Sequence, residues 1–305
     1  MRVLVVGTIG IDDIETPFEK AQGVLGGSAT YASIASAFHA PTRLVSIVGE
    51  DFAAERQSLL SDRGIDLAGL EVADGKTFRW GGRYHANYDD RDTTFTDLNV
   101  LTQFDPELPV SYRSGGYVLL GNVDPVIQLK VLDQLESPEL VVVDTMNFWL
   151  DGAPELVTEV FARSDVAVIN EEEVRLYSGC YSIPQAVERM MEGGLRAVVV
   201  KRGAYGAAMK THEGWFFVAG YPLMEVRDPT GAGDSLAGGL VGYLAREDKV
   251  SEQSLRRAVV HGSVLASLAV QSFGAEGLAA ADLGEIDKRY QDFLRFSQVD
   301  IETSS

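Results

Sequence analysis

Short, continuous runs of apolar residues recur along most of the chain and alternate with segments that have a helical pattern. The apolar runs cover residues 3–9, 43–49, 117–122, 140–145, 166–170 and 197–203, and the helical candidates cover 28–38, 52–63, 125–135, 153–162, 171–178 and 183–192. Such strands are typical of parallel sheets that helices cover on both faces. The pattern predicts a three-layer α/β fold with a doubly wound, mostly parallel sheet, which binds ligands at the carboxyl ends of its strands.

One segment, residues 76–97, breaks this alternation. Phe78 and Trp80, and then Tyr84 and Tyr88, show the period-two spacing of strands around a polar turn at 89–92. We therefore expect a β-ribbon beside the main sheet that is too small to fold alone. It serves either as an edge flap or as a lid over a substrate. With no long linker in the sequence, residues 1–300 are expected to form one domain, followed by a disordered tail at 301–305.

Composition and charge exclude several classes of protein. The net charge is −19, from 26 basic and 45 acidic residues, and no long basic cluster is present, which argues against nucleic-acid or membrane partners. The single cysteine, Cys180, excludes an internal disulfide framework and a cysteine-based zinc site, and it fits a reducing cytoplasm. The apolar opening segment is short and runs into two aspartates, so we expect a buried strand there rather than a signal peptide.

The stretch "RDPTGAGDSLAGGL", residues 227–240, carries the strongest chemical signal. Interior glycines destabilise a helix by about 1 kcal/mol each, so a requirement other than helix stability explains them. The free backbone N–H groups of Gly231, Ala232 and Gly233 at the start of this helix would bind an anion such as a phosphate. Asp234 in the same turn is either a base that takes a proton from a hydroxyl or a charge that complements the helix dipole.

Two further candidates lie near the beginning of the chain. Gly26 and Gly27 precede a helix and either let the backbone approach a ligand or simply form a loop. Asp12 and Asp13 follow the first predicted strand. Their carboxylates could hold sugar hydroxyls, or they could serve a turn or a cap.

The segment "INEEEV" begins a helix directly after a buried strand. Asn170 and Glu173 have the spacing of a capping box, and Glu173 could also help to hold a hydrated Mg²⁺. Lys201, at another strand end, could meet a nucleotide phosphate, although a hairpin turn explains this region without a ligand. We expect His261 to be an ordinary helix residue and Cys180 a small hydrophobe.

Four motifs together resemble the ribokinase-like, or phosphofructokinase B type, carbohydrate kinases. "DPTGAGD" (228–234) is similar to their C-terminal signature, usually D-T-x-G-A-G-D, and "GGSATYASIASA" (26–37) to their diglycine motif. "NEEE" (170–173) matches N-x-x-E, and "VVVKRGAYGA" matches a strand and glycine turn beside the nucleotide. The matches follow the family order from about residue 3 to residue 275. Two departures are Pro229, where threonine or serine is usual, and Tyr31, where ribokinases have asparagine, which puts ribose itself in doubt as the substrate.

The resemblance implies an ATP- and Mg²⁺-dependent kinase of a sugar, or alternatively of a nucleoside, with Asp234 as base and Gly231, Ala232 and Gly233 as anion hole. It places the acceptor at Asp12, Gly26 and Gly27, the nucleotide at Asn170, Lys201, Gly203, Gly206, Ser263 and Gly274, and the metal near Glu173. Some members also bind a monovalent cation such as K⁺ near the equivalents of Asp228 and Thr230, and many pair their lids in a homodimer. A non-catalytic sugar- or nucleotide-binding protein is the alternative from another class. A Rossmann dehydrogenase is disfavoured because no G-x-G-x-x-G follows the first strand.

Overall fold

The computed structural model of the chain describes residues 1–88 and 90–296. The predicted disordered tail at 301–305 lies outside the described residues. Within them the chain forms thirteen strands: β1 (Val3–Val6), β2 (Gly10–Glu15), β3 (Lys20–Gly26), β4 (Thr42–Gly49), β5 (Asp66–Ala73), β6 (Arg79–Tyr84), β7 (Arg91–Asp97), β8 (Tyr117–Leu120), β9 (Leu140–Val143), β10 (Val166–Asn170), β11 (Ala197–Lys201), β12 (Ala207–Thr211) and β13 (Gly214–Val218).

The same part of the chain contains twelve α-helices and two 3₁₀ turns, at Asn99–Gln103 and Gly203–Tyr205. The helices are α1 (Ser28–Ala37), α2 (Ala54–Asp62), α3 (Val110–Arg113), α4 (Pro125–Gln134), α5 (Asn147–Gly152), α6 (Pro154–Ala162), α7 (Glu171–Ser178), α8 (Ile183–Met191), α9 (Ala232–Glu247), α10 (Glu252–Ala269), α11 (Glu276–Ala280) and α12 (Leu283–Phe296). All six predicted strands and all six predicted helices are present, and several strands end two or three residues earlier than predicted.

Nine strands form the main sheet in the order β13-β12-β11-β10-β9-β8-β1-β4-β5. The seven strands from β11 to β5 are parallel, and β12 and β13 extend the edge as an antiparallel hairpin. The carboxyl ends of the parallel strands therefore meet along one edge, where ligands bind in open α/β sheets.

Alternation along the strands separates two hydrophobic cores. In β1, Val3 and Val5 face the core that contains α1, α9 and α10, whereas Leu4 and Val6 face the core that contains α4, α6 and α8. Successive side chains of a strand point to opposite faces, so an entirely apolar strand serves both layers. The prediction of three layers around a doubly wound sheet is confirmed.

The predicted ribbon at 76–97 is only half of a second, four-stranded sheet, which we call the small sheet, with the order β3-β2-β6-β7. β6 and β7 form the expected antiparallel pair, but β2 joins β6 in parallel and β3 joins β2 in antiparallel register. Asp12 and Asp13 therefore lie within strand β2, so the turn or cap role that was considered for them is wrong. The sequence concealed this strand because two adjacent acids interrupt its apolar pattern.

The glycines inside helix α9 are explained by close packing with its two neighbours. A Cβ atom on Gly238 would lie 2.2 Å from the carbonyl oxygen of Ala32 in α1, and one on Gly239 would lie 2.9 Å from the Cα of Gly262 in α10. Side chains at these positions would force the three helices apart. These glycines lower the intrinsic stability of α9, but they allow close packing that holds its first turn against the end of the sheet.

None of the helices within residues 1–88 and 90–296 has both the length and the hydropathy needed to cross a membrane.

Candidate active site

The first turn of α9 lies at the carboxyl edge of the main sheet. Its N-cap, Gly231, has φ = 76°, and a Cβ atom there would lie 2.3 Å from the ring of Tyr31, so both the backbone conformation and the space require glycine. The first helical hydrogen bond runs from the N–H of Ser235 to the carbonyl of Gly231 at 2.8 Å. The N–H groups of Gly233 and Asp234 precede that bond and belong to the helix end that attracts anions.

One of the three predicted anion-hole donors already has a partner. The N–H of Ala232 donates to the carbonyl of Pro229 at 3.3 Å, a long bond that closes the turn before the helix. Ala232 would have to give up this bond to meet a phosphate oxygen. The anion-hole role of Gly231, Ala232 and Gly233 stays a prediction.

Lys201, which is partly buried, and Asp144, which is buried, form an ion pair beside this turn. The Lys201 ammonium lies 2.8 Å from each carboxylate oxygen of Asp144, which follows strand β9. A Cβ atom on Gly233 would lie 3.1 Å from the Cδ of Lys201, so the lysine stem packs directly on the first turn of α9. The sheet edge and the helix terminus thus converge on one basic side chain, at the place where a nucleotide phosphate was predicted.

The charges of this cluster set its protonation state. Burial and then the charge of Asp144 raise the pKa of Asp234 to about 6, while Lys201 opposes the shift. Burial alone would lower the pKa of Lys201, but the charges of Asp144 and Glu173 more than offset it and hold the pKa above its usual value. Lys201 is therefore a permanent cation, and Asp234 is an ionised carboxylate near neutral pH with the basicity suited to proton transfer.

Asp12 projects from the small sheet into the same region. Its side chain is buried, and a Cβ atom on Gly26 would lie 1.9 Å from its Oδ2, so the first glycine of the diglycine motif makes room for this carboxylate. Gly27 has φ = 94°, and a Cβ there would lie 2.5 Å from the carbonyl oxygen of Thr8. Burial, followed by the charges of Asp228 and Asp234, raises the pKa of Asp12 to about 8. The structure therefore brings the predicted acceptor residues together around one acid.

Asp228 and Thr230 lie between Asp12 and the helix terminus. Asp228 is fully buried, and its Oδ1 accepts the N–H of Thr230 at 2.9 Å. Its Oδ2 is buried and makes no hydrogen bond of normal geometry among the described residues, although the backbone N–H of Gly274 is close enough to lower the pKa of Asp228. Burial raises the pKa of Asp228 to about 6. The hydroxyls of Thr230 and Tyr84 lie 2.9 Å apart, which links the small sheet to the glycine signature.

Asn170 and Glu173 form the predicted capping box. The Asn170 side chain accepts the N–H of Glu173 at 2.8 Å, and the Glu173 carboxylate accepts the N–H of Asn170 at 2.8 Å. Glu173 is buried, and burial together with the Asp144 charge raises its pKa to about 7 against the opposing charge of Lys201. The cap is confirmed, and a metal role for Glu173 stays a prediction. Among the described residues, no three His, Cys, Asp or Glu side chains cluster as metal ligands.

The remaining predicted nucleotide residues fall into three places. Gly203 and Gly206 shape the turn between β11 and β12. Ser263 lies inside α10, where its hydroxyl donates to the carbonyl of Val259 at 2.9 Å. Gly274 lies beside Asp228 and β3 rather than along the turn after Lys201, since its backbone N–H lowers the pKa of Asp228 and a Cβ on it would lie 2.9 Å from Val24. Their nucleotide contacts stay predictions.

Comparison with known proteins decides the family. The model of the pfkB family carbohydrate kinases matches residues 13–280. The chain belongs to this family. It is accordingly a pfkB-family kinase that moves a phosphoryl group from ATP to a sugar-like acceptor. The match spans most of both sheets and every motif described above.

Individual relatives act on different acceptors. The chain is 27% identical to the cytidine kinase of Thermococcus kodakarensis over 253 residues, 80% of this chain and 88% of that protein. Its fold is similar to that of the Methanocaldococcus jannaschii nucleoside kinase, with a TM-score of 0.76, 19% identity and coverage of 95% and 98% of the two chains. The fold is also similar to that of a Vibrio cholerae fructokinase with bound fructose, ADP and calcium. The TM-score is 0.78, the sequence identity is 20%, and the match covers 95% of this chain and 98% of that one.

The sequence identified most residues of this site but not the contacts between them. Asp144 follows a buried apolar run, and this position at a strand end could have identified it as a site residue. Nothing in the sequence indicated that it pairs with Lys201. His261 lies in α10, as predicted, and is buried between the rings of Tyr243 and Tyr290 at ring-centre distances of 4.2 and 4.3 Å. Cys180 is half-buried.

Proposed function

We propose that this pfkB-family kinase phosphorylates a hydroxyl on the sugar of a nucleoside. The observation that carries the proposal is the position of Trp80, which is directly opposite Asp12 in the register of β6 and β2. Directly opposed residues of adjacent strands project from the same face of a sheet. The half-buried indole of Trp80 therefore lies on the side of the small sheet that carries the acceptor aspartate.

The orientation of Trp80 suits stacking. A Cβ atom on Gly82 would lie 2.1 Å from the indole ring, so the ring lies across this glycine and covers the strand. An aromatic face beside a carboxylate that binds hydroxyls can hold the two halves of a nucleoside, with the base on the ring and the sugar at the acid.

The charged side chains of β6 are engaged on the other face. Arg79 pairs with Asp13 at 3.1 Å, and Arg83 pairs with Glu15 at 3.3 Å. The side-chain amide of Asn87 donates to the Asp90 carboxylate in the turn at 2.8 Å. These partners hold Arg79 and Arg83 away from Asp12 and leave Trp80 on its face, which supports a nucleoside over a sugar that these two arginines would bind.

In the mechanism that we propose, Asp234 takes the proton from the acceptor hydroxyl. The hydroxyl oxygen then forms a bond to the γ-phosphorus while the bond from that phosphorus to the β–γ bridging oxygen breaks, and ADP leaves in line. Lys201 holds a phosphate oxygen, and the N–H groups at the start of α9 stabilise the charge that develops on the transferring group. Asp12 positions the acceptor.

Two ions fit the residues that are present. Glu173 suits a hydrated Mg²⁺, which uses few protein carboxylates and would neutralise phosphate charge. The buried, unpartnered Oδ2 of Asp228, beside Thr230, suits a monovalent cation such as K⁺.

The test is ADP release from ATP with a panel of nucleosides, pentoses and hexoses. We expect a higher kcat/KM for nucleosides, and we expect Trp80→Ala to raise the KM of the acceptor more than the KM of ATP. Arg83→Gln, on the opposite face of the same strand, is the matched control and should change neither. A preference for free sugars with an unchanged acceptor KM in Trp80→Ala would contradict the proposal.

We also propose a cytoplasmic homodimer that pairs through the small sheet. The edge strands β3 and β7 leave backbone groups open, and β7 is exposed at nearly every position. Sedimentation at micromolar concentration should give the mass of two chains, and a proline at Thr94 in β7 should shift it towards one. A single-chain mass for the wild type would contradict the proposal.

A further inference from the structure

Residues 219–227, a segment with no helix or strand, leave the main sheet beside the turn between β11 and β12. Strand β13 is antiparallel to β12, which is antiparallel to β11, so β13 ends at the same edge of the sheet as β11. A Cβ atom on Gly206 would lie 2.1 Å from the carbonyl oxygen of Val218 and 2.6 Å from the nitrogen of Gly220. The segment therefore starts against the turn that follows Lys201.

The same segment ends at the glycine signature. The N–H groups of Arg227 and Asp228 donate to the carbonyl of Val270, at the end of α10, at 2.9 and 3.2 Å. Between the two ends, Tyr221 reaches the C-terminal helix α12, where its hydroxyl donates to Asp292 at 2.8 Å. The segment is thus attached to the turn, to α12 and to α10.

Arg289 of α12 connects two of these attachments. Its side chain is buried, its Nη1 donates to the Ser267 hydroxyl in α10 at 2.9 Å, and its Nη2 donates to the side chain of Gln271, the residue after Val270. The Tyr221 ring covers the guanidinium group, with 4.9 Å between the guanidinium carbon and the ring centre. One buried side chain therefore holds both Tyr221 and the end of α10.

This arrangement is not explained by stability alone. The Nε of Arg289 donates to Glu285 at 2.8 Å, which completes an ion pair on the buried guanidinium. Removing such a pair from water costs about as much as the pair returns, and apolar side chains of similar volume are often equally stable in its place. The guanidinium group provides direction instead, because its fixed donors and flat face set the positions of several partners at once.

The proposed mechanism places the nucleoside end of ATP along this segment. In an in-line transfer, the acceptor and the leaving ADP lie on opposite sides of the phosphorus. The acceptor is at Asp12 in the small sheet, whose strands follow β1 and β5 in the chain, on the other side of the main sheet from β11–β13. With its phosphates at Lys201 and the start of α9, ADP would extend away from the small sheet, towards residues 219–227.

We propose that Arg289 is a positioning residue for ATP, which holds Tyr221 and the segment 219–227 as a preformed wall for the ribose and base. The inference rests on the proposed positions of the acceptor and the phosphates. A wall that is already ordered spares the nucleotide the entropy of ordering it. Arg289 would then act on nucleotide binding and not on the acceptor.

The kinetic test compares Arg289→Gln with Lys288→Gln, which removes an exposed cation beside the same Glu285. In Arg289→Gln the KM of ATP should rise about 10-fold, because each nucleotide must then order the segment, while kcat and the acceptor KM change little. Arg289→Lys should recover only part of this loss, since it keeps the charge and loses the fork and the flat face. Lys288→Gln should match the wild type.

Equilibrium binding separates the nucleoside end from the phosphates and needs no acceptor. Arg289→Gln should bind ADP about 10-fold more weakly than the wild type, whereas inorganic tripolyphosphate, which has neither ribose nor base, should bind both proteins equally. Equal weakening of both ligands, or of neither, would overturn the proposal, and so would equal rises in the KM values of ATP and the acceptor.

Two further variants separate positioning from stability. Ile286→Ala removes a buried side chain from the same helix, so it should lower the midpoint of thermal unfolding without weakening ADP relative to tripolyphosphate. Tyr221→Leu removes the ring without leaving a buried charge, and it should reproduce the selective loss of ADP even if Arg289→Gln does not fold. Lys201→Met should weaken both ligands, and if it weakens neither, the proposed phosphate position is wrong rather than the role of Arg289.

Discussion

The Lys201 ammonium lies 2.8 Å from both carboxylate oxygens of Asp144, and the pair rests against the first turn of α9. Asp144 follows β9 and Lys201 ends β11, the two parallel strands on either side of β10, and Asp144 is buried. Asp144 therefore affects two neighbours: it holds the Lys201 ammonium, and its charge raises the pKa of Asp234.

Asp144→Asn should shift the pH dependence of the reaction. Since the Asp144 charge raises the pKa of Asp234, its removal should move the acidic limb of kcat/KM to lower pH, and the freed Lys201 should hold ATP less well. Initial rates between about pH 5 and pH 8 at several ATP concentrations measure both effects.

Asp133→Asn is the control for this prediction because Asp133 pairs with Arg163 at the surface, away from the sheet edge. Its acidic limb should coincide with that of the wild type. An unmoved limb in a folded Asp144→Asn protein would show that Asp144 does not tune Asp234.

Asp234→Asn should lower kcat by about 10²- to 10⁴-fold, the usual contribution of a general base. The affinity for ATP should stay similar or become slightly tighter, because a carboxylate that repels phosphates is removed. Thermal stability should not fall, since asparagine replaces an acid whose ionisation burial disfavours. Near-normal turnover would leave Asp234 as a charge that complements the helix dipole.

The sequence was sufficient to locate most of the site because the glycine positions and strand ends carry local signals. It could not show which side chains meet. Lys201 and Asp144 are 57 positions apart, and Tyr84 and Thr230 are 146 apart. Their contacts depend on strand order and on the placement of the small sheet, which periodicity does not encode.

The sequence predicted only two of the four strands of the small sheet, β6 and β7. The acids of β2 are stabilised by partners distant in sequence: the Asp13 carboxylate accepts the N–H of Gly23 at 2.8 Å and pairs with Arg79. Without knowledge of those partners, the polar sequence of β2 predicts a loop rather than a strand.

Glu173→Gln separates the two roles of this residue. Glutamine keeps an oxygen that can accept the N–H of Asn170, so the capping box and the stability of α7 should be largely retained. If Glu173 holds hydrated Mg²⁺, the Mg²⁺ concentration for half-maximal rate should rise. Titration of the rate with Mg²⁺ at saturating ATP measures this, and an unchanged midpoint would leave Glu173 with the cap alone.

Asp12→Asn should flatten the dependence of stability on pH. The folded protein holds a proton on Asp12 up to about pH 8, whereas the ordinary value for the unfolded chain is 3.8, so unfolding releases that proton at intermediate pH. The contribution is fully present below about pH 4 and is lost as the pH rises through about 8, by at most about 1.4 kcal/mol per pH unit for one proton. Asp228 and Asp234 add to this fall only up to about pH 6 and Glu173 up to about 7.

The interval from about pH 7 to pH 8 therefore reports mainly on Asp12, and the free energy of unfolding in urea should fall there in the wild type without ligands. In Asp12→Asn the fall should be much smaller, because asparagine cannot ionise and no longer repels Asp228 and Asp234. Asp133→Asn, which changes a surface acid that does not act on Asp12, should retain the wild-type slope. Parallel pH profiles for Asp12→Asn and the wild type would mean that Asp12 is already ionised in the empty site, and that binding of the acceptor hydroxyl involves no proton held by this residue.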